Sequence, residues 1–136
     1  MCITIGLRPT ELKRTLKSLS SICSSMPVIA INDFGDRETN KVFQEIVPHG
    51  VIVKHISKKN HHKALDELYS NVKTKYIFHC EDDWIFSSTD FVDKSINILQ
   101  EFPNVSSVSF RDINDFSFTA DQLNERLIIE KNNLRY

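Results

Sequence analysis

Glycine is scarce in this sequence: Gly6, Gly35 and Gly50 are the only three in 136 residues. So few glycines leave few places where backbone can close tightly on a phosphate. None belongs to a G-x-G-x-x-G following the first apolar run, which argues against a dinucleotide-binding fingerprint. No G-x-x-x-x-G-K-[ST] occurs, so an ordinary P-loop is excluded. Long apolar runs are lacking as well. None approaches the ~20 residues that span a bilayer, and the N-terminus carries no signal-peptide pattern. Neither sign of charge dominates: 17 basic and 18 acidic side chains give a formal net charge of -1. That balance gives no reason to expect nucleic acid or an anionic membrane as the main partner. Cys2, Cys23 and Cys80 are odd in number, widely spaced and without a C-x-x-C, which reads as buried or free thiols in a reducing, cytoplasmic setting. There is no internal repeat, low-complexity stretch or linker, and the length suits one domain, 1–136.

What is present is organised around Tyr76-Ile77-Phe78-His79-Cys80-Glu81-Asp82-Asp83-Trp84. Five mostly apolar residues run directly into three adjacent carboxylates. So short and apolar a run suits a strand buried on both faces. Three acids at its end repel one another and lose hydration, a cost that falls if a divalent cation sits among them. Carboxylate oxygens suit Mg²⁺ or Mn²⁺ better than zinc. A solvated acidic turn is the other reading of the same residues.

The chain alternates. Cys2–Ile5 reads as a first strand meeting Gly6, and Pro9 opens a helix whose Leu12, Leu16, Leu19 and Ile22 form one buried stripe. Val28–Ile31 is a second strand running into Asn32 and Asp33. Asp36 is a helix N-cap ahead of Val42, Phe43 and Ile46. Val51–Ile56 is a third strand nearer the sheet edge, and a basic stretch, Lys58 to Lys63, leads to a helix with Leu65, Leu68 and Val72 inward. After the fourth strand a helix carries Val92, Ile96 and Leu99, and Val105–Phe110 reads as a fifth strand. A capping box, Thr119 to Gln122, announces a last helix. This alternation predicts an α/β fold: a three-layer αβα, open, mostly parallel sheet. Strand order 3-2-1-4 would put Gly6, Leu7, Arg8 and Glu81-Asp82-Asp83 in one crevice, with Asn32-Asp33 alongside. Arg8, Lys58, Lys59 and Lys63 are cations available for phosphate.

Three segments together resemble family 2-type glycosyltransferases of the GT-A, Rossmann-like fold. Ile3 to Leu19 resembles their first strand, Arg-Pro turn and helix. Ala30 to Asp36 resembles their second-strand acidic motif, with Asn32 where an aspartate is common. Glu81-Asp82-Asp83 resembles their DXD motif in spacing and setting. The match covers roughly residues 2–110, a donor-nucleotide half, followed by a short segment, 111–136. The resemblance implies a metal-dependent, hexosyltransferase-like enzyme that uses a nucleotide-diphosphate sugar, UDP-sugar favoured, with Mn²⁺ or Mg²⁺. Thr4, Leu7 and Arg8 would border the nucleotide, and Asp33 would accept a hydrogen bond from the base. Glu81 or Asp82 would face the ribose or metal-bound water, Asp83 with Glu81 would hold the cation, and Lys63 would lie near the donor. Family members usually continue into an acceptor region. Here Asp112 and Asp115 are the nearest candidates for a catalytic base, Glu125 a poorer one, and a solvated acidic loop is their other reading. The sugar, the acceptor and the anomeric outcome stay open. So do three other readings: a non-catalytic nucleotide-sugar or metal-binding module, a nucleotidyltransferase, and a plain interaction domain.

Other residues read as framework. His79 is expected to be a hydrogen-bonded core histidine and Trp84 an anchor against the core. His61-His62 diverge on a helix surface, and the phenylalanines fall at core periods.

Overall fold

In a computed structural model, residues 1–54 and 60–110 are described, together with the backbone pairing of 130–131 and 134–135. The elements are β1 (Cys2–Ile5), α1 (Pro9–Ser18), α2 (Ser20–Ser25), β2 (Ile29–Asn32), α3 (Arg37–Ile46), β3 (Val51–Val53), α4 (His61–Ser70), β4 (His79–Glu81) and α5 (Phe91–Glu101). A short antiparallel pair, β5 (Glu130–Lys131) and β6 (Leu134–Arg135), follows. The main sheet has order β3-β2-β1-β4, with every pairing parallel. The expected strand order is therefore the observed one, and β3 lies at the edge.

Register assigns each strand residue a face, because side chains alternate along a strand. Cys2 pairs with Ile29 and His79, and Thr4 with Ile31 and Glu81. That face packs on α4 through Cys2, Ile31, Ala64 and Leu68. The opposite face brings Ile3, Ile5, Ala30 and Cys80 against Leu12, Leu16, Leu19, Phe43 and Phe91. Both faces of the sheet are thus covered by helix, the physical reason its strands are nearly all apolar.

The expected helical stripe is interrupted. Leu19, at φ -104°, divides α1 from α2, yet Leu12, Leu16, Leu19 and Ile22 all remain buried. The fifth strand is a correction. Among the described residues Val105–Phe110 has no ladder partner, and the Val105 N–H donates at 2.9 Å to the Phe102 carbonyl, closing a turn after α5. Apolar alternation is necessary for a half-buried strand, but the ladder makes the strand, and here it is not formed. The fourth strand is also shorter than its apolar run, since only His79–Glu81 pairs with β1. Lys58, Lys59, Asp112, Asp115, Glu125 and the capping box at Thr119 lie outside the described residues. No helix among the described residues is long and apolar enough to cross a membrane. All three cysteines are buried and free, and burial raises their thiol pKa values.

Candidate functional site at the carboxyl ends of the sheet

Strand order reverses beside β1: the chain builds outward through β2 and β3, then returns to place β4 on the other side. A crevice opens at the carboxyl ends of strands at such a point. That end of the sheet here carries the turn after β1, the loop after β2 and the acids after β4.

The acids diverge. Glu81, half-buried, ends β4 opposite Thr4 and so shares the α4 face. Asp82 turns the other way and is 1% exposed. Its Oδ2 accepts the Gly6 N–H at 3.0 Å, and its Oδ1 meets Arg8 Nη2 at 2.7 Å. That second contact is ionic: Oδ1 is buried and receives no well-directed hydrogen bond. Burial raises the Asp82 pKa, with the Gly6 N–H and the Arg8 charge opposing. The Asp82 carbonyl accepts from the Thr15 hydroxyl at 2.8 Å, so α1 is tied to the same corner. Asp83 faces solvent, and its Oδ2 lies 2.6 Å from Arg8 Nη1. One guanidinium thus bridges a buried and an exposed carboxylate, while its own side chain stays 48% exposed.

The opposite wall is built on Asn32 and Asp36. Asp36 caps α3 by accepting the Thr39 N–H at 2.9 Å, as its position in the sequence suggested. It also accepts the Leu7 N–H at 2.9 Å, a role its position did not announce. Leu7 sits at φ 56°, where a residue with a side chain is strained, so this bond helps hold the β1–α1 turn. Burial works to raise the Asp36 pKa, yet the Thr39 side chain and N–H, the Leu7 N–H and the Asn32 amide bring it down from 3.8 to about 2. The Thr39 N–H makes the well-formed bond, for the buried Thr39 hydroxyl meets no acceptor in hydrogen-bonding geometry. Asn32 is 4% exposed. Its amide donates to the Asp36 carbonyl, Asp36 Oδ1 and Asn40 Oδ1, and its oxygen accepts from the Phe34 and Gly35 N–H groups. Gly6 has no room for a side chain, because a Cβ there would stand 2.5 Å from the Phe34 ring and 3.1 Å from Asn32 Oδ1.

Asp33 is half-buried and accepts the Asn60 N–H at 3.2 Å; Asn60 in turn caps α4 through the Lys63 N–H at 3.1 Å. The loop after β2 and the start of α4 therefore meet. Of the residues singled out by sequence, Arg8, Asp82 and Asp83 share one ionic cluster, Leu7 bonds Asp36, Asp33 bonds Asn60, and Lys63 is an exposed side chain at the start of α4. Thr4 is 8% exposed within β1, on the same sheet face as Ile31 and Glu81. His79 departs from expectation: it is half-buried, its Nδ1 is buried without a partner, and burial lowers its pKa. Its contact is the Tyr69 ring, edge-on at 5.7 Å. Trp84, 37% exposed, rests its ring 6.3 Å from that of Phe86, which packs against the core, so it anchors at the core's edge.

Asp36 yields a pH-dependent prediction. A carboxylate held below its ordinary pKa contributes stability above about pH 4 that is lost as pH falls through about 2. Asp36→Ala should cost about 2 kcal/mol at neutral pH, combining a lost cap with the lost Leu7 bond and discounting for solvent. Urea titrations of both proteins from pH 7 down to pH 2 should show the gap closing in acid. A gap that stays constant with pH would refute this role.

Comparison with protein-family models finds no match to this chain, and comparison with curated proteins finds no similar sequence.

Proposed function

We propose that this crevice binds the nucleoside diphosphate of a nucleotide-sugar, with a divalent cation, for transfer of the sugar to an acceptor. One observation carries the reading: Asp33, Arg8 and Asp83 follow β2, β1 and β4, three neighbouring strands, at the carboxyl end of the sheet where strand order reverses. In this reading Asp33 faces the base, and Arg8 with Lys63 meets the phosphates. Asp83 is the exposed carboxylate able to offer an oxygen to a cation.

The donor set fits Mg²⁺ or Mn²⁺ in a particular way. Among the described residues no group of three or more His, Cys, Asp or Glu side chains converges on one point. A protein-only cage is therefore not built here, and Glu81 lies on the α4 face. Magnesium usually takes one or two carboxylates and draws its other ligands from water and substrate phosphate. The exposed carboxylate of Asp83 suits that arrangement, and the cation would supply charge stabilisation to the departing diphosphate. Asp112 and Asp115, the base candidates, lie outside the described residues, so the reading rests on the donor half.

A thermal-shift panel of UDP, GDP, CDP and TDP, each with Mn²⁺, Mg²⁺ or EDTA, tests it. A ligand at ~100 times its Kd adds about 2.7 kcal/mol, an increase of order 5–10 °C in Tm for a domain of this size. One nucleotide should raise Tm with metal, and the shift should vanish in EDTA and in Asp83→Ala. A flat panel would leave the acids as a structural corner and sink the proposal.

A further inference from the structure

Arg8 holds both carboxylates that a cation would approach. Its Nη1 and Nη2 lie 2.6 Å and 2.7 Å from Asp83 and Asp82. A divalent cation and a guanidinium repel one another and compete for the same oxygens. Arg8 is nevertheless half-exposed on a flexible stem, whereas Asp82 is almost wholly buried and its Oδ1 has only this ionic contact. Withdrawing Arg8 with nothing in its place would strand a buried charge, which is costly. A diphosphate entering the crevice offers the guanidinium a second bidentate partner, and an accompanying cation offers the carboxylates a replacement.

We propose that Arg8 gates the acidic pair. It stands in for the cation on Asp82 and Asp83 and yields that place only when cation and nucleoside diphosphate arrive together. This deepens the donor-site reading and rests on it for the identity of the second ligand. Cation alone would have to displace a well-placed guanidinium with no new partner for it. Nucleotide alone would draw Arg8 away from an uncompensated carboxylate. The two ligands therefore bind with positive coupling, and each raises the affinity for the other by the same factor.

Calorimetric titration of Mn²⁺ into the wild-type chain, Arg8→Gln and Arg8→Gln/Asp83→Asn tests the gate. Wild type should bind Mn²⁺ weakly alone and roughly tenfold more tightly with saturating UDP, or whichever of the four diphosphates binds. Arg8→Gln should bind Mn²⁺ alone roughly tenfold more tightly than wild type and lose the nucleotide dependence. Adding Asp83→Asn should return binding to weak. If Arg8→Gln binds Mn²⁺ no better than wild type, the gate is overturned. If it binds Mn²⁺ better but no diphosphate helps wild type, Arg8 masks a cation site and the donor reading fails by itself. Should Arg8→Gln not fold, NMR of the wild-type arginine side chains decides. Its Arg8 guanidinium signals should shift with Mg²⁺ and nucleotide together and not with Mg²⁺ alone. Unchanged signals, or the full shift with Mg²⁺ alone, would overturn the gate.

Discussion

Arg8→Met should lower stability by about 2 kcal/mol at neutral pH, and Arg8→Met/Asp82→Asn should restore most of it. The single change removes the countercharge from a carboxylate whose side chain is 2% exposed. The double change removes the charge as well and leaves a side-chain oxygen able to accept from the Gly6 N–H. Breaking a buried ion pair on one side is costlier than replacing both partners, and the half-exposed Arg8 reduces the figure below that of a fully buried pair. The pH dependence has a definite sign. Burial already raises the Asp82 pKa, and loss of Arg8 raises it further. A carboxyl with a raised folded-state pKa favours folding below its unfolded pKa of about 3.9 and loses that advantage as pH rises. The deficit of Arg8→Met should therefore be small near pH 4 and grow toward neutrality. Chemical denaturation across that range measures it. A double variant no more stable than the single one would show that Asp82 does not depend on Arg8.

Asn32→Asp should cost about 2–4 kcal/mol at pH 7, despite being nearly isosteric. The Asn32 amide nitrogen lies 2.8 Å from Asn40 Oδ1, 3.0 Å from the Asp36 carbonyl and 3.2 Å from Asp36 Oδ1. A carboxylate in its place would turn an acceptor toward three acceptors, one of them a carboxylate with a pKa of about 2. The introduced acid should take up a proton to recover a donor, so its pKa should rise. The deficit should shrink as pH falls from about 7 toward 4. Equal stability of the two proteins at pH 7 would refute this account. The glycosyltransferase reading of the sequence by itself would lead to the opposite expectation, since it takes Asn32 to stand in for an aspartate. The difference lies with Asn40 and Asp36, which leave no place here for a second anion.

Much of the framework was legible in the residues. Cys2–Ile5 and Ile29–Asn32 are strands because their apolar runs are too short for helices and are buried on two faces, while the equally short Val51–Val53 forms the partly exposed edge. The strands join in parallel because helix-length segments separate them. Asp36 was legible as a cap because an N-cap bond is local, three residues along the chain. Val105–Phe110 shows the limit of such reasoning. Its alternation suits a strand, but a strand depends on a partner's backbone, and periodicity says nothing of whether that partner is in reach.

For the site, composition and order determined that polar residues would gather at the carboxyl ends of the strands, since each buried strand must end in something hydrated. The tertiary structure decided how those residues are used. Gly6 and Asp82, 76 positions apart, share a hydrogen bond, and Leu7 and Asp36 share another. Glu81 and Asp82, adjacent in sequence, part because Glu81 ends β4 on the α4 face while Asp82, first residue of the turn, is drawn to the Gly6 N–H and Arg8. Arg8 could be read from sequence as a cation available for phosphate. That it spans Asp82 and Asp83 follows from the parallel pairing of β1 with β4, which brings the two strand ends together. Local signals are set by neighbours along the chain, whereas ion pairing and burial are set by neighbours in space.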